Sequence, residues 1–391
     1  MVEGVRHAKL TICDIHCTFR DIVRVPPEFT MQGSNDTAPI SSVAFLLIPG
    51  FALMSYASAV EPLRAANQIA GRSLYRWSHL SPGGAPAVAS NGAAVLPDLT
   101  FDSDVTGFDL VLVCAGGNPA IFKDRATFAW LRKVARHGAV IGGLSGGPFV
   151  VARAGLLAGR SCTLHWEHIP AFREAFPAVQ VTGSLFELDG DRFTCAGGIA
   201  GLDMMVALIA RDHGHELAAA VGEWFLHTHV REGMWAQRTD IRFRLGITDP
   251  KLLPALKAME ANLETPLSRA ELAGLAGVSV RQLERAFRGQ LKRGIHQHYL
   301  RLRLDRSRQL LRQTSLSALE VAITTGFNSA RQFSRAFRRE FGCAPRELLE
   351  LAVNGTAIDN AGLSSASSGS ADSRRASRRG ARSARHRPGR P

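Results

Sequence analysis

Apolar and polar positions change rhythm once along this chain. From about Ser41 to Asp212, short apolar runs alternate with stretches of helical period, which predicts a parallel sheet covered by helices. Ser42–Ile48 reads as a buried first strand, and a helix follows Pro49-Gly50 near Ala57–Ile69. Leu110–Cys114 and Val140–Gly142 read as further strands, with helices at Phe128–His137 and Phe149–Leu157. Strands near Cys162–His165, Val179–Val181 and Phe193–Cys195 precede a helix at Leu202–Asp212. Residues 213–253 read as a helical exit and linker that ends at Pro250 and Pro254.

Beyond that point the period is helical throughout, and it repeats. Leu267-Ser268-Arg269-Ala270-Glu271-Leu272-Ala273 recurs as Leu316-Ser317-Ala318-Leu319-Glu320-Val321-Ala322, and Arg285-Ala286-Phe287-Arg288 recurs as Arg335-Ala336-Phe337-Arg338. Each copy holds two helix-start signals of the S-x-x-E/Q kind: Ser268/Glu271 with Ser279/Gln282, and Ser317/Glu320 with Ser329/Gln332. In such a box the serine hydroxyl and the side chain three residues on satisfy orphan backbone donors reciprocally. Gly277 and Gly326 stand where a sharp turn needs a left-handed residue. The pattern therefore predicts two helix-turn-helix units. Leu272, Ala273, Ala276, Val278, Leu283 and Phe287 point inward, and Val321, Ala322, Thr325, Phe327, Phe333 and Phe337 match them. Tyr299–Leu311, with its stripe of Leu300, Leu304, Leu310 and Leu311, would join the units rigidly.

With those positions buried, the second helix of the first unit turns Arg281, Glu284, Arg285 and Arg288 outward; the second unit turns Arg331, Ser334, Arg335 and Arg338 outward. Arginine can bond guanine O6 and N7 bidentately in the major groove, so double-stranded DNA is the expected partner. Charge sharpens this picture. The net +13 is not spread evenly. Residues 1–249 carry 21 Lys+Arg against 23 Asp+Glu, residues 250–350 carry 18 against 9, and residues 351–391 carry 8 against 2. A near-neutral part joined to a basic part is the footprint of a protein that approaches phosphates.

Composition excludes other classes. With 46% apolar and 21% charged residues in 391, wholesale disorder is ruled out and two or three domains are expected. No apolar run approaches the roughly 18 residues of a membrane span, and Met1–Ile40 has no apolar core of a signal peptide, so a cytoplasmic protein without membrane contact is expected. The six cysteines have neither disulfide-scaffold nor zinc spacing, so reduced thiols, no metal and no cofactor are expected. Cys114 and Cys195 read as buried small hydrophobes.

The α/β part carries one chemical motif. Gly143-Leu144-Ser145-Gly146-Gly147 fits G-x-S-x-G, the strained turn that exposes a serine above a sheet. With His165 as base and Glu61 as acid this would be a serine hydrolase. The other reading of Ser145 is a helix N-cap among glycines that permit close backbone approach. No HGGG-type oxyanion segment is visible. A sheet of this type holds ligands at the carboxyl ends of its strands, where Asn91 would offer an amide and Trp166 a π face for a cation, with Glu61 as counter-charge.

Over Leu253–Leu349 the sequence resembles the AraC/XylS family of bacterial transcription regulators, on Leu300 through Leu311 and on Val321-Ala322 through Gly326-Phe327 to Pro345. That resemblance places base-reading positions on Arg281, Glu284, Arg285, Arg331 and Arg335. Over Ser42–Arg238 the chain is similar to the amidotransferase-like branch of the DJ-1/PfpI superfamily, on Gly50 through Ala66, Gly143 through Gly159, Thr163-Leu164-His165-Trp166 and Cys195-Ala196-Gly197-Gly198 to Asp203. The superfamily's enzymes carry a cysteine at the elbow, where this chain has Ser145. The expected architecture is a flavodoxin-like α/β parallel-sheet domain followed by an all-α domain. Its boundaries are an extension over 1–40, with Met31 a candidate start; a ligand-sensing domain over 41–238; a linker over 239–252; a double helix-turn-helix over 253–350; and a disordered Arg-rich tail over 351–391. The resemblance implies a non-enzymatic activator of catabolic genes. Its small-molecule effector, of betaine, carnitine or arginine type, would be held by Glu61, Asn91, Ser145, His165 and Trp166. RNA polymerase and a second copy of the chain are the expected protein partners. The alternative is a PfpI-like amidase fused to a DNA-binding domain.

Overall fold

The computed structural model describes residues 41–100, 105–314 and 316–349. The extension and tail expected at the two ends lie outside the described residues.

The α/β half is built on a seven-stranded sheet of β1 (Ser41–Leu47), β2 (Tyr75–Ser81), β5 (Leu99–Thr100), β6 (Leu110–Ala115), β7 (Val140–Ser145), β10 (Phe186–Asp189) and β11 (Arg192–Cys195). Two short pairs accompany it: β3 (Ala87–Val88) with β4 (Ala94–Val95), and β8 (Ser161–Cys162) with β9 (Gln180–Val181). The sheet order is β10-β11-β7-β6-β1-β2-β5, parallel throughout except for the antiparallel edge strand β10. β1 shows why. Alternate side chains of a strand face opposite sides of the sheet. Val43, Phe45 and Leu47 enter one apolar layer while Ala44 and Leu46 enter the other, so the strand is buried on both faces, as parallel sheets require.

The first layer is closed by α1 (Leu53–Ala70), α5 (Ala200–His213) and α6 (His215–Trp224); the second by α2 (Arg125–Arg136), α3 (Gly147–Arg153) and α4 (Ile169–Ala175). After α6 the chain returns across the edge of the sheet. Asp203, wholly buried in α5, accepts hydrogen bonds from the backbone and guanidinium of Arg231 and pairs with Nε2 of His227 at 2.8 Å. Farther along, Gln237 Nε2 donates to Thr163 Oγ1, Leu164 O and Ser184 O. These bonds fix the route of residues 227–238.

The stretch expected to be a linker, 239–252, is part of the helical core. It contains α7 (Ile241–Leu245), and Ile241, Ile247 and Leu252 are buried with α8 (Leu252–Ala261), α9 (Arg269–Leu275) and α10 (Val280–Leu291). The long helix α11 (Ile295–Gln313) leads to α12 (Ala318–Thr324) and α13 (Ala330–Phe341), which enclose a second core. Gly277 and Gly326 have φ of 64° and 74°, the left-handed turns the repeat demands. Three of the four capping boxes are complete. At Ser329 only the hydroxyl half forms. Its φ is −152°, against −66° to −69° at the other three caps, so its own N–H is turned away from Gln332.

Candidate functional site

Two surfaces carry the residues singled out above. The first is a cleft of about 1160 Å³ at the carboxyl end of the sheet, lined from both halves of the chain. Ser145 stands at its floor, 6% exposed, at the turn from β7 into α3. Its φ of 59° is a left-handed value that costs a non-glycine residue roughly 1–2 kcal/mol and is held by its surroundings. Gly146 N–H donates to Ala115 O, and His165 N–H donates to Ser145 O. The elbow's backbone is therefore complete.

Its side-chain chemistry is not. A Cβ on Gly197 would lie 2.5 Å from Ser55 Oγ and 2.7 Å from Ser145 Cβ, so the α1 residue facing the elbow is Ser55. Glu61 lies nearly two turns farther along α1, outside the cleft lining, and binds Arg64 at 2.6 Å on the surface. Among the described residues none exchanges a hydrogen bond with Ser145 Oγ. His165 lines the cleft with Nδ1 4.0 Å from Glu167; burial lowers its pKa and Glu167 opposes that, so it is neutral at pH 7. Trp166 also lines the cleft, but Arg238 lies 4.6 Å over its ring, so the face expected to receive a ligand cation is already covered. Asn91 is exposed and accepts from Ala93 N–H within its own turn; its neighbour Ser90 reaches the cleft instead. Of the five expected ligand residues, the structure brings Ser145, His165 and Trp166 together and leaves Glu61 and Asn91 apart. Cys114 and Cys195 are buried, with thiol pKa values raised by desolvation.

The opposite wall is α11. Arg306, Arg308, Gln309, Arg312 and Gln313 face the cleft, with Arg244 and Glu260 below them. Asn118 Nδ2 donates to Arg312 O at 2.7 Å, and Gln309 Nε2 donates to Glu167 O. His168, 4% exposed, packs against the same seam, and burial, then His165, push its pKa down to about 4. Sequence reasoning missed this wall, because its contacts join positions more than 140 residues apart.

The second surface is formed by α10 and α13. Arg281, Arg285 and Arg288 on the first, and Arg331, Arg335 and Arg338 on the second, are exposed, as the burial of Leu283, Phe287, Phe333 and Phe337 dictates. Glu284 and Ser334 are only half-exposed. Glu284 is engaged elsewhere: its carboxylate accepts from Ile295 N–H at the start of α11 and pairs with Arg288 at 3.2 Å.

Comparison with known proteins agrees with this division. Residues 41–211 match the DJ-1/PfpI family and residues 272–350 match a helix-turn-helix domain family. The chain is 46% identical over 320 residues to the HTH-type transcriptional regulator GlxA of Rhizobium meliloti, covering 81% of this chain and 98% of that one. It is 45% identical over 306 residues to the HTH-type transcriptional regulator GbdR of Pseudomonas aeruginosa (78% of this chain, 83% of that one). It is 46% identical over 303 residues to CdhR, another HTH-type transcriptional regulator of Pseudomonas aeruginosa (78% and 90%).

Proposed function

The chain belongs to the AraC-type helix-turn-helix transcription regulators that carry a DJ-1/PfpI domain, and from that premise we propose that its α/β half is a metabolite sensor. The effector is a small molecule of betaine, carnitine or arginine type, and its binding controls catabolic genes. One observation carries this reading: the cleft above the elbow has Ser55 where a catalytic acid would be needed, and a helix of the DNA-binding half as its wall. A pocket so built can report occupancy to the DNA reader and has little means of turning substrate over, because an unassisted serine hydroxyl is a weak nucleophile.

In this reading Arg281, Arg285 and Arg288 contact one major-groove segment and Arg331, Arg335 and Arg338 the next, about 10 bp away. Glu284 acts through α11 and Ser334 from the edge. The regulator works in the cytoplasm, as a homodimer, with RNA polymerase as its partner; no helix among the described residues is long and apolar enough to cross a membrane. Protection mapping of the full chain on its own genome's DNA tests this. Two contacted segments per protomer are expected. Arg285→Ala and Arg335→Ala should each cost about 1–3 kcal/mol and relax discrimination at different positions. Equal loss on every DNA sequence would reduce both residues to phosphate contacts.

The left-handed φ at Ser145 supports a second reading, hydrolysis of an amide or ester, since that strain exposes a nucleophile in elbows of this kind. Turnover that disappears in Ser145→Ala would establish it. On the sensor reading the same variant retains its promoter response.

A further inference from the structure

The cleft is richer in arginine than in acid, and its arginines differ in what they already hold. Arg238 lies on Trp166. Arg244 forms a two-oxygen pair with Glu260 at 2.9 and 3.1 Å. Arg308 reaches Asp305 at 3.7 Å and covers the Phe341 ring. Arg306 has no carboxylate within 4 Å among the described residues, and its one polar contact within the chain is a long one, 3.5 Å to Gln309 Oε1. It is part-buried on the cleft wall with Arg173 near enough to repel it. A guanidinium taken from water without a counter-ion is costly unless something supplies the anion.

Three more polar atoms on the same wall are buried without a well-formed hydrogen bond among the described residues: Asp305 Oδ1, and His168 Nδ1 and Gln313 Oε1, whose residues are near enough for Gln313 to oppose the fall in the His168 pKa. The acids are engaged in part: Glu260 by Arg244, Asp305 through Oδ2 by Arg301 at 2.7 Å, and Glu167, half-exposed, 4.0 Å from His165. The cleft thus holds one part-buried guanidinium, Arg306, with no counter-ion among the described residues.

Accepting the sensor reading, on which this rests, we propose that the effector carries a carboxylate and that Arg306, a residue of the DNA-binding half, is the group that binds it. A planar guanidinium fork matches a carboxylate with two parallel hydrogen bonds, and a neutral His168 with its proton on Nδ1 can donate beside it. The effector then bridges the halves, its body against the elbow wall of Ser145 and His165 and its acid on α11.

The test uses the full chain and matched probes: glycine betaine with choline, and L-arginine with agmatine, each pair differing at the carboxylate. Binding is read by calorimetry and by the shift in melting temperature. We expect at least one acid to bind, its partner to bind at least tenfold more weakly, and Arg306→Gln to lose at least tenfold in affinity for the acid. Arg306→Lys, which keeps the charge and loses the fork, should fall between and serves if the glutamine variant does not fold. Undiminished binding of the acid by both variants, equal binding of acid and partner, or binding of inorganic phosphate through Arg306 overturns the proposal and leaves the sensor reading standing. If no probe binds the parent chain, the sensor reading falls and this proposal falls with it.

Discussion

The two helix-turn-helix units follow one sequence pattern and are fastened in different ways. The first unit shares its core with α7 and α8, so twelve buried residues from Ile241 to Tyr299 hold it, and Tyr299 OH bonds Asn262 O and Leu267 N–H across that core. Among the described residues the second has eight, from Leu304 to Phe337, three of them on α11 itself. It hangs from that helix by side chains: Arg303 donates to Thr325 O at 2.7 Å and to Gly326 O and lies over Phe327, while Arg301 pairs with Glu340. A duplicated motif thus yields one unit built into a core with α7 and α8 and one whose placement depends on α11.

The largest test of this difference removes the central phenylalanine of each unit. Phe287→Ala and Phe337→Ala should each cost about 3–5 kcal/mol, as truncations of buried aromatics do. Urea unfolding followed by hydrogen exchange should show the smaller core opening alone in Phe337→Ala. In Phe287→Ala the loss should spread into α8. If both variants lose protection in the same residues, the units are one cooperative body.

Acid tests the seam on which the second unit depends. His168 has a pKa of about 4 in the fold against an ordinary 6.5, so between those values the unfolded chain binds more protons. Stability therefore rises with pH across that window and is lost as pH falls from about 6.5 to about 4. At 1.36 kcal/mol per unit the loss approaches about 3 kcal/mol. Urea midpoints at pH 7 and 4.5 should move apart more in the parent than in His168→Phe. An equal displacement would separate this histidine from the acid response.

The caps give a finer contrast. Ser279→Ala removes a hydroxyl that accepts from Gln282 N–H and donates to Gln282 Oε1 and should cost about 1 kcal/mol; Ser329→Ala removes one that only accepts from Gln332 N–H and should cost less, about 0.5 kcal/mol. Equal costs would mean that the hydroxyl's second bond at Ser279 carries no energy. Smallest of all is the titration of Glu271 and Glu320, whose carboxylates accept from the backbone N–H of Ser268 and Ser317 at 2.7 Å. Hydrogen bonds within each box, the backbone one first at Glu271 and the side-chain one first at Glu320, hold both below the usual 4.5. A depressed acid stabilises the fold above its unfolded value and loses that contribution as pH drops through its folded one. NMR titration should therefore find helix starts α9 and α12 loosening below about pH 4.5, with α10, capped by the neutral Gln282, unaffected.

Much of this was legible in residues whose instructions are local. Serine caps, left-handed glycines and buried phenylalanines specify the helical repeat within a few positions of themselves, and continuous apolar runs mark β1, β6 and β7. Strand β2 escaped notice because Tyr75–Ser81 carries polar residues whose partners are distant: His79 joins Asp98 and the Tyr56 hydroxyl, each at 2.7 Å. Phe186–Asp189, with Glu187 bonded to Ser184, escaped in the same way. At the cleft the elbow was readable, but the partner facing it was not. Motif resemblance pointed to Glu61, whereas helix phase turns Ser55 toward Ser145. The wall of arginines on α11 has no local signature, since each lies on a helix whose pattern reads only as a connector.

That connector has mechanical consequences. At 1.5 Å per residue, the eleven steps from Arg306 back to Ile295 form a rod of about 16 Å, and the attachment points of the second unit at Arg301, Arg303 and Arg308 all lie within about 8 Å of Arg306. A tilt of about 10° pivoting at the cleft would swing the Ile295 end by about 3 Å, the length of a hydrogen bond, and the nearer attachments by half that or less. Glu284, which holds α10 to that far end, sits where the swing is greatest. Leverage therefore assigns the larger displacement to the unit with the larger core.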